Sequence, residues 1–424
     1  MWDNWEILQP KKLSANLDIY IGCMTGTSAD NTADFTAATF DTEGMPICFK
    51  NFPITIPEQL NLHLLTLSKA NRTEILRTEA NRLETQLTNF FVDAFLIVIK
   101  KLNLLHYPKT KIILSPHGQT LEHNPLDKNY YTDIIVNGPM LAQKTGYKVV
   151  TQHRQAPLVV SMAAPLAPVL IKKLFFDPQK NVVLINGGGI ANITILNKND
   201  PTKIIGYDTG PANAPIDSLI HYLLDQNLIN VIPELLRKPI SEHRFDVDGK
   251  LAESGAIIPK LYKALRAHEY FSRKVKAKSA DRADFDIYTW ILPQLKLLSL
   301  AHLSWIDIIT TISAIVADSI ADAINNSLTA ITDNDSTTKV IFYGGMSHNQ
   351  YIIHRIQTQL LEQAKFEFID MRKLNYIADY FEALLMAYLG FCAHHKIAID
   401  LNYCAREDVT HPFAIPGVVA FPAT

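Results

Sequence analysis

The sequence predicts an α/β protein built as two similar lobes facing one cleft. Strand-like and helix-like segments alternate along the chain, the pattern of α/β architecture. Its 424 residues are enough for two domains, or about three. One local unit, a strand running into a turn rich in glycine or hydroxyls, recurs near residues 22–30, 185–192, 206–213 and 343–349, in both halves of the chain. No fixed short period accompanies it, which excludes a solenoid.

The elements follow in order. Ile19–Cys23 reads as a strand and Phe35–Phe40 as its hairpin partner, within YIGCMTGTSADNTADFTAATFD. A hairpin tip faces water, which accounts for polar residues there, but so many hydroxyls and carboxylates also fit a loop that holds a charged ligand. Residues 70–103 carry an apolar stripe at helical spacing. KTKIILSPHGQT is a short buried strand ending in a polar turn, and YKVV (147–150) is another strand. VVLINGGGIANITIL (182–196) reads as a further hairpin, and KIIGYDTGPANAPIDSLIHYLL as strand, turn and helix. Residues 305–328 read as a helix beginning near Asp307, and 332–339 as a polar loop. VIFYGGMSHNQYIIHRI is strand, glycine turn and helix, and ADYFEALLMAYLGFCA is a late helix. The expected lobes are 1–145 together with about 400–424, and 146–399.

Composition narrows the function. Apolar residues make up 48% of the chain and charged ones 19%, a balance that fills a core and excludes a disordered chain. Lys+Arg number 40 against 42 Asp+Glu, so no basic field exists for nucleic acid. Cys23, Cys48, Cys392 and Cys404 are scattered without metal-ligand spacing and read as thiols in a reducing compartment. The start MWDNWEILQPKK lacks the pattern of a secretory signal, and no apolar run is long enough to span a bilayer. A cytoplasmic protein without membrane partner is expected, with a homodimer among the compatible states.

Five segments have chemistry to offer. Phosphate binding needs backbone N–H groups close to the ligand, which glycine permits and Ser or Thr hydroxyls supplement. MTGTS (24–28) and NGGGIAN (186–192) supply both features. In GYDTGPANAPID, Asp208 sits at the end of a strand, where α/β sheets present ligands. It can orient Mg²⁺ through water, or cap local N–H groups in an ordinary turn. YGGMSHN (343–349) has a glycine pair before a helix, suited to a flat nucleotide or to a tight turn. The GxxxxGK[ST] pattern is absent, which excludes a P-loop fold. In SPHGQTLEHNP, His117, Gln119 and Thr120 form a polar cluster suited to a sugar, or else a hydrogen-bonded structural histidine and its neighbours.

At these residues the sequence resembles the anhydro-N-acetylmuramic acid kinases, of the sugar kinase, actin and Hsp70 superfamily. GCMTGTSAD resembles the family's G-x-M-S-G-T-S-x-D-G, SPHGQT its S-H-G-Q-T, INGGGIANIT its N-I-G-G-I-A-N and YDTGPANAPID its F-D-T-G-P-G-N. KSADRADF (278–285) resembles K-S-T-G-R-E-x-F, YGGMSHN resembles C-G-G-G-x-H-N, and DYFEALLMAYLG resembles the late E-A helix. The motifs run in family order from about Tyr20 to Tyr388. The resemblance implies a two-lobed actin-like ATPase fold (ribonuclease H-like) with a central cleft. It implies ATP and Mg²⁺ as cofactors and a small sugar as substrate. The implied reaction opens the 1,6-anhydro ring of anhydro-N-acetylmuramic acid with water and phosphorylates it to N-acetylmuramic acid 6-phosphate, in cell-wall recycling. Gly26, Thr27, Ser28, Asp30, Gly188, Gly189, Asp208, Gly210, Gly344 and Gly345 are then expected at the phosphates, with Asp208 as a water-mediated metal residue. His117, Gln119, Thr120, Arg154 and Asn213 are expected at the sugar, and Asp30 and Glu382 among the catalytic groups.

The chain departs from the family where the base should be. The family's V-V-x-D-F-R reads VVTQHR here, so Gln152 occupies the position of the catalytic Asp. A glutamine amide does not titrate usefully and cannot act as a general base. His153 is a candidate replacement, although strand alternation turns neighbours to opposite faces. Asn31, Ala33, Ala212, Met346, Asp281 and Ala283 also replace family residues, while Asp217 keeps its place. Two readings follow: an active kinase in which another group activates the water, and a catalytically impaired relative that binds a sugar or nucleotide.

Overall fold

The computed structural model describes all residues except 1–4, 26–31, 70–76, 125–128, 162–165, 274–277, 281, 301–303, 330–336, 361–364, 371–379 and 424. The expected phosphate residues Gly26, Thr27, Ser28 and Asp30 lie outside the described residues. The chain divides into two compact units, Met1–Leu174 with Asp379–Thr424, and Phe175–Ala378.

The first unit opens with β1 (Ile19–Thr25), β2 (Thr32–Phe40) and β3 (Pro46–Thr55), then helix α1 (Arg77–Lys101). Next come β4 (Ile112–Pro116), β5 (Gln119–Asn124), β6 (Tyr131–Ile135), α2 (Gly138–Thr145) and β7 (Lys148–Thr151). The main sheet has the order β3-β2-β1-β4-β7, flanked by Glu6–Ile7 outside β3 and Val418–Ala420 outside β7. β1, β2 and β3 are antiparallel, whereas β4 and β7 run parallel to β1. β5 and β6 form a separate two-stranded hairpin. Strands β1 and β4 are buried on both sides, as their unbroken apolar runs require. α1 covers one side with Leu83, Leu87, Phe91, Phe95 and Val98, and Phe95 meets Phe35 edge-on at 5.0 Å between ring centres.

The second unit repeats this plan with β8 (Asn181–Gly187), β9 (Ile190–Asn197), β10 (Asp200–Pro211), α3 (Asn213–Asp225), α4 (Trp305–Thr329), β11 (Thr338–Tyr343), α5 (Gln350–Gln359) and β12 (Phe366–Asp370). Its sheet order is β10-β9-β8-β11-β12. β8 to β10 are antiparallel, and β11 and β12 are parallel to β8 and to each other. Each unit therefore carries the ribonuclease H-like sheet, order 3-2-1-4-5 with the second strand reversed, which is the actin-like plan. α4 is buried along nearly its whole length, from Ile308 to Leu328, so it reads as apolar all round instead of striped.

The chain then returns to the first unit through α6 (Phe381–His394). Gly22 and Gly390 let α6 lie against the sheet. A Cβ on Gly22 would sit 2.0 Å from the Ala383 carbonyl oxygen and 2.3 Å from the Ala387 nitrogen, and one on Gly390 would meet Ser115 Oγ at 2.7 Å.

The unit border differs from the sequence expectation of about 145 and about 400. β7 pairs in parallel with β4 and so belongs to the first sheet, and α6 packs on β1, β2 and β4, so that sheet's territory extends to Leu174 and resumes at Asp379. Strand β3 was not foreseen, because Pro46, Lys50, Asn51 and Pro53 interrupt its apolar pattern. Of hairpin β5–β6 the sequence reads only Gln119 and Thr120, within a polar turn, because QTLEHN carries mostly polar side chains. None of the four cysteines is in a disulfide. No described helix is long and apolar enough to cross a membrane.

Candidate active site

Among the described residues, the 117–120 segment and Gln152–Arg154 of the first unit, and Gly188, Gly189, Gly344 and Gly345 of the second, follow the carboxyl ends of parallel strands, the place where open α/β sheets present ligands.

In the first unit the ends of β1, β4 and β7 carry Thr25, the 117–120 segment and Gln152–Arg154. The turn after β4 is tight. His117 N–H donates to the Cys23 carbonyl at 2.9 Å, and Gly118 takes φ 84°, with room only for hydrogen because the Ile135 carbonyl oxygen would lie 2.8 Å from a Cβ. Thr25 Oγ1 donates to the Gly118 carbonyl at 3.1 Å and stands 3.4 Å from Gln119 Oε1. Arg154 Nε donates to His117 Nε2 at 3.3 Å, so the other ring nitrogen, Nδ1, donates to the Gly118 carbonyl at 3.0 Å. Burial, then the Arg154 charge, lower the His117 pKa to about 4. The structure thus joins His117, Gln119 and Arg154, with half-buried Thr120 next in the strand. Both His117 nitrogens are engaged, so this ring positions its turn.

Gln152 follows β7 with φ 58°, a left-handed conformation that Asn and Asp adopt far more readily than Gln. Strand alternation therefore stops at Thr151 and does not decide which way residues 152 and 153 face. Gln152 Nε2 donates to the Ile134 carbonyl at 3.3 Å, and its Oε1 is buried without a hydrogen-bond partner. His153 is 0% exposed. Its Nε2 donates to Ser115 Oγ at 3.2 Å, because the Ser115 hydroxyl itself donates to the Met386 carbonyl at 2.6 Å. Burial above all, then His117 and Arg154, lower its pKa to about 3. A ring sealed in the core in this way is out of reach of a reacting water, which removes His153 as a replacement base.

These two histidines set an acid limit on the first unit. Their rings ionise near pH 6.5 when unfolded but only at about 4 and about 3 when folded. The stability they contribute as neutral groups is complete above the unfolded value and is lost as pH falls through the folded ones. For His117 alone this is worth about 3 kcal/mol at neutral pH. The urea midpoint of this unit is expected to drop between roughly pH 6.5 and 4; a flat profile there contradicts the assignment.

In the second unit the hairpin turn after β8 and the start of α3 are laced together. The Gly189 carbonyl accepts from Ala212 N at 3.0 Å and Ala214 N at 3.2 Å, and the Gly188 carbonyl accepts from Asn213 N at 3.0 Å. Glycine carbonyls thus cap the first turn of α3. The turn after β11 closes on the same place. Gly344 takes φ 77°, and a Cβ there would lie 2.5 Å from Asn186 Oδ1, while one on Gly345 would lie 3.3 Å from Asn213 Nδ2. A Cβ on Gly188 would meet nothing nearer than the Ile190 carbonyl oxygen at 3.8 Å. Met346, where the family has a third glycine, packs its Cβ into the space that Gly187 leaves.

Asp208 anchors the family's K-S motif. Its N–H donates to the Lys278 carbonyl at 3.1 Å, its Oδ2 accepts from Ala280 N at 3.0 Å, and Tyr270 donates to its carbonyl at 2.6 Å. Gly210, at φ 139°, packs under Phe271 and Tyr270. Glycines 188, 189, 344 and 345 therefore gather with Asn213 at the strand ends, whereas Asp208 and Gly210 lie along β10 against Tyr270, Phe271, Lys278 and Ala280. Glu382 is exposed in the first turn of α6, over β1, β2 and β4. Sequence reasoning missed Thr25 as a partner of Gln119, Tyr270 as a partner of Asp208, and Gln155. The last had a signal, a second glutamine three residues after Gln152 at the start of a helix.

The profile of the anhydro-N-acetylmuramic acid kinase family matches residues 18–405. The chain is 30% identical over 378 residues to the anhydro-N-acetylmuramic acid kinase of Idiomarina loihiensis, covering 89% of this chain and 92% of the relative. It is 31% identical over 384 residues to that of Colwellia psychrerythraea, covering 88% and 90%. A solved hexokinase of Schistosoma mansoni complexed with glucose aligns over 90% of this chain and 88% of its own, with 10% identity and a TM-score of 0.37, too slight a likeness to bear on function. With the family profile spanning most of its length, and with relatives matched over nearly all of theirs, the chain belongs to the anhydro-N-acetylmuramic acid kinase family.

Proposed function

We propose that the protein is an ATP-dependent kinase that opens 1,6-anhydro-N-acetylmuramic acid with water and phosphorylates it to N-acetylmuramic acid 6-phosphate. The supporting observation is the meeting of Gly188, Gly189, Asn213, Gly344 and Gly345 at one strand end, in a chain of this family. Water adds to the anomeric carbon and its proton is released to solvent. The bond from that carbon to the bridging oxygen breaks, this oxygen takes the γ-phosphoryl group of ATP, and ADP leaves. Bare glycine backbone lets the phosphates come close. Among the described residues, no group of three His, Cys, Asp or Glu side chains is placed to hold a metal alone. A single carboxylate, Asp208, suits Mg²⁺, which keeps most of its waters and binds through the phosphates. Mg²⁺ bound there would offset phosphate charge. Gln119, Thr120 and Arg154 orient the sugar, and His117 holds the turn that carries them.

Two substitutions separate fold from function in the second unit. Gly188→Ala meets open space and is expected to shift stability by less than about 0.5 kcal/mol, while weakening ATP binding about tenfold by keeping the phosphates off the backbone. Gly344→Ala needs both a strained φ and a 2.5 Å contact, and is expected to cost about 2 kcal/mol or more in unfolding free energy. Denaturant unfolding and calorimetric titration with ATP–Mg²⁺ read the two effects. Unchanged ATP affinity in Gly188→Ala removes that turn from the phosphate site.

A second reading rests on Gln152. With an amide already bonded to Ile134 at the position of the base, the protein binds the sugar or the nucleotide but does not turn over. Titration with each ligand, beside an assay for phosphoryl transfer, distinguishes the readings. Transfer above background supports the kinase, binding without transfer supports the binder, and binding of neither ligand removes both.

A further inference from the structure

We propose that Gln152 and Gln155 are positioning residues whose side-chain amides clamp the open edge of β6 and so hold the 117–120 turn in its sugar-binding shape. In its sugar-binding arm this rests on the function proposed above. Alternate residues along a strand turn their carbonyls to the same edge. Strand β6 pairs with β5 along one edge. On the other, Gln155 Nε2 donates to the Thr132 carbonyl at 3.1 Å and Gln152 Nε2 to the Ile134 carbonyl at 3.3 Å. Two side chains three residues apart thus meet two carbonyls two residues apart, as a further strand would. The clamped strand carries the turn with it, because Gly118 packs on the Ile135 carbonyl and Gln119 and Thr120 pair with Ile135 and Ile134.

Only a donor can do this. The carboxylate that the family places at 152 accepts hydrogen bonds and cannot donate to a carbonyl. The substitution to glutamine therefore replaces a group suited to take a proton with one that fastens a strand. The backbone keeps the left-handed φ of 58°, which costs glutamine more than it would aspartate.

Hydrogen exchange on the full-length protein, followed segment by segment, tests the clamp without any ligand. Gln152→Met and Gln155→Met keep side-chain length and remove the donor. Each is expected to speed exchange in residues 117–135 about fivefold, the worth of a typical hydrogen bond, and to leave β1 and β4 unchanged. Gln155→Met is also expected to weaken binding of 1,6-anhydro-N-acetylmuramic acid about fivefold with ATP affinity unaltered. Gln155→Lys, which restores a donor, should recover both. Unchanged exchange in both methionine variants overturns the clamp, as does acceleration spread across the whole unit. Accelerated exchange with undiminished sugar affinity overturns its positioning role. If wild-type protein fails to bind the sugar, the functional proposal falls, and the exchange data still decide whether the clamp exists.

Discussion

Gln152→Asp is expected to raise the rate of phosphoryl transfer to 1,6-anhydro-N-acetylmuramic acid by about 10²- to 10⁴-fold, the usual contribution of a positioned general base. Three features of the site favour so large a gain. The backbone at 152 holds a φ of 58°, which aspartate tolerates better than glutamine. The position lies at the end of β7, beside the Arg154–His117 pair. Neither neighbouring histidine can supply the function, because His153 is sealed against Ser115 and both His117 nitrogens are engaged. The gain has a cost, since an aspartate loses the hydrogen bond to the Ile134 carbonyl, worth about 1 kcal/mol. A faster enzyme that melts slightly earlier is therefore expected. A variant that folds, binds both ligands and is no faster than wild type shows that proton abstraction does not limit this protein.

Gly22→Ala is expected to have the largest effect on folding. The added Cβ would lie 2.0 Å and 2.3 Å from backbone atoms of α6. Backbone cannot turn aside as a flexible side chain can, so helix and sheet must separate. A loss of about 3 kcal/mol or more is expected, at the upper end of overpacking costs. Because a domain is stable by only about 5–15 kcal/mol, much of the protein should be recovered insoluble. Chemical denaturation of the soluble fraction measures the loss. A wild-type midpoint would mean that α6 does not rest on β1 at this point.

The second sheet was largely legible in the sequence. The apolar runs at 182–196 and 340–343 and their glycine turns marked β8, β9 and β11, whereas β12 carried no reading. Helix α4 was also legible, as its boundaries at Trp305 and Thr329 nearly match the expected 305–328. Strand β3 and hairpin β5–β6 were not, because their prolines and polar side chains hide the alternation and only the neighbouring strands stabilise them. The unit borders depend on which sheet β7 joins, a long-range pairing that local pattern does not encode. Within the site, residue identity flagged Gln152 as the missing base. Its bond to Ile134 and the matching bond from Gln155 to Thr132 required the hairpin to be in place.

The most direct measurement is a single-turnover reaction with enzyme in excess over 1,6-anhydro-N-acetylmuramic acid and ATP–Mg²⁺, comparing wild type with Gln152→Asp and identifying the product by mass. N-acetylmuramic acid 6-phosphate is predicted from both proteins, formed slowly by the wild type and far faster by the aspartate variant. No sugar phosphate from either protein, with both ligands shown to be bound, would contradict a kinase.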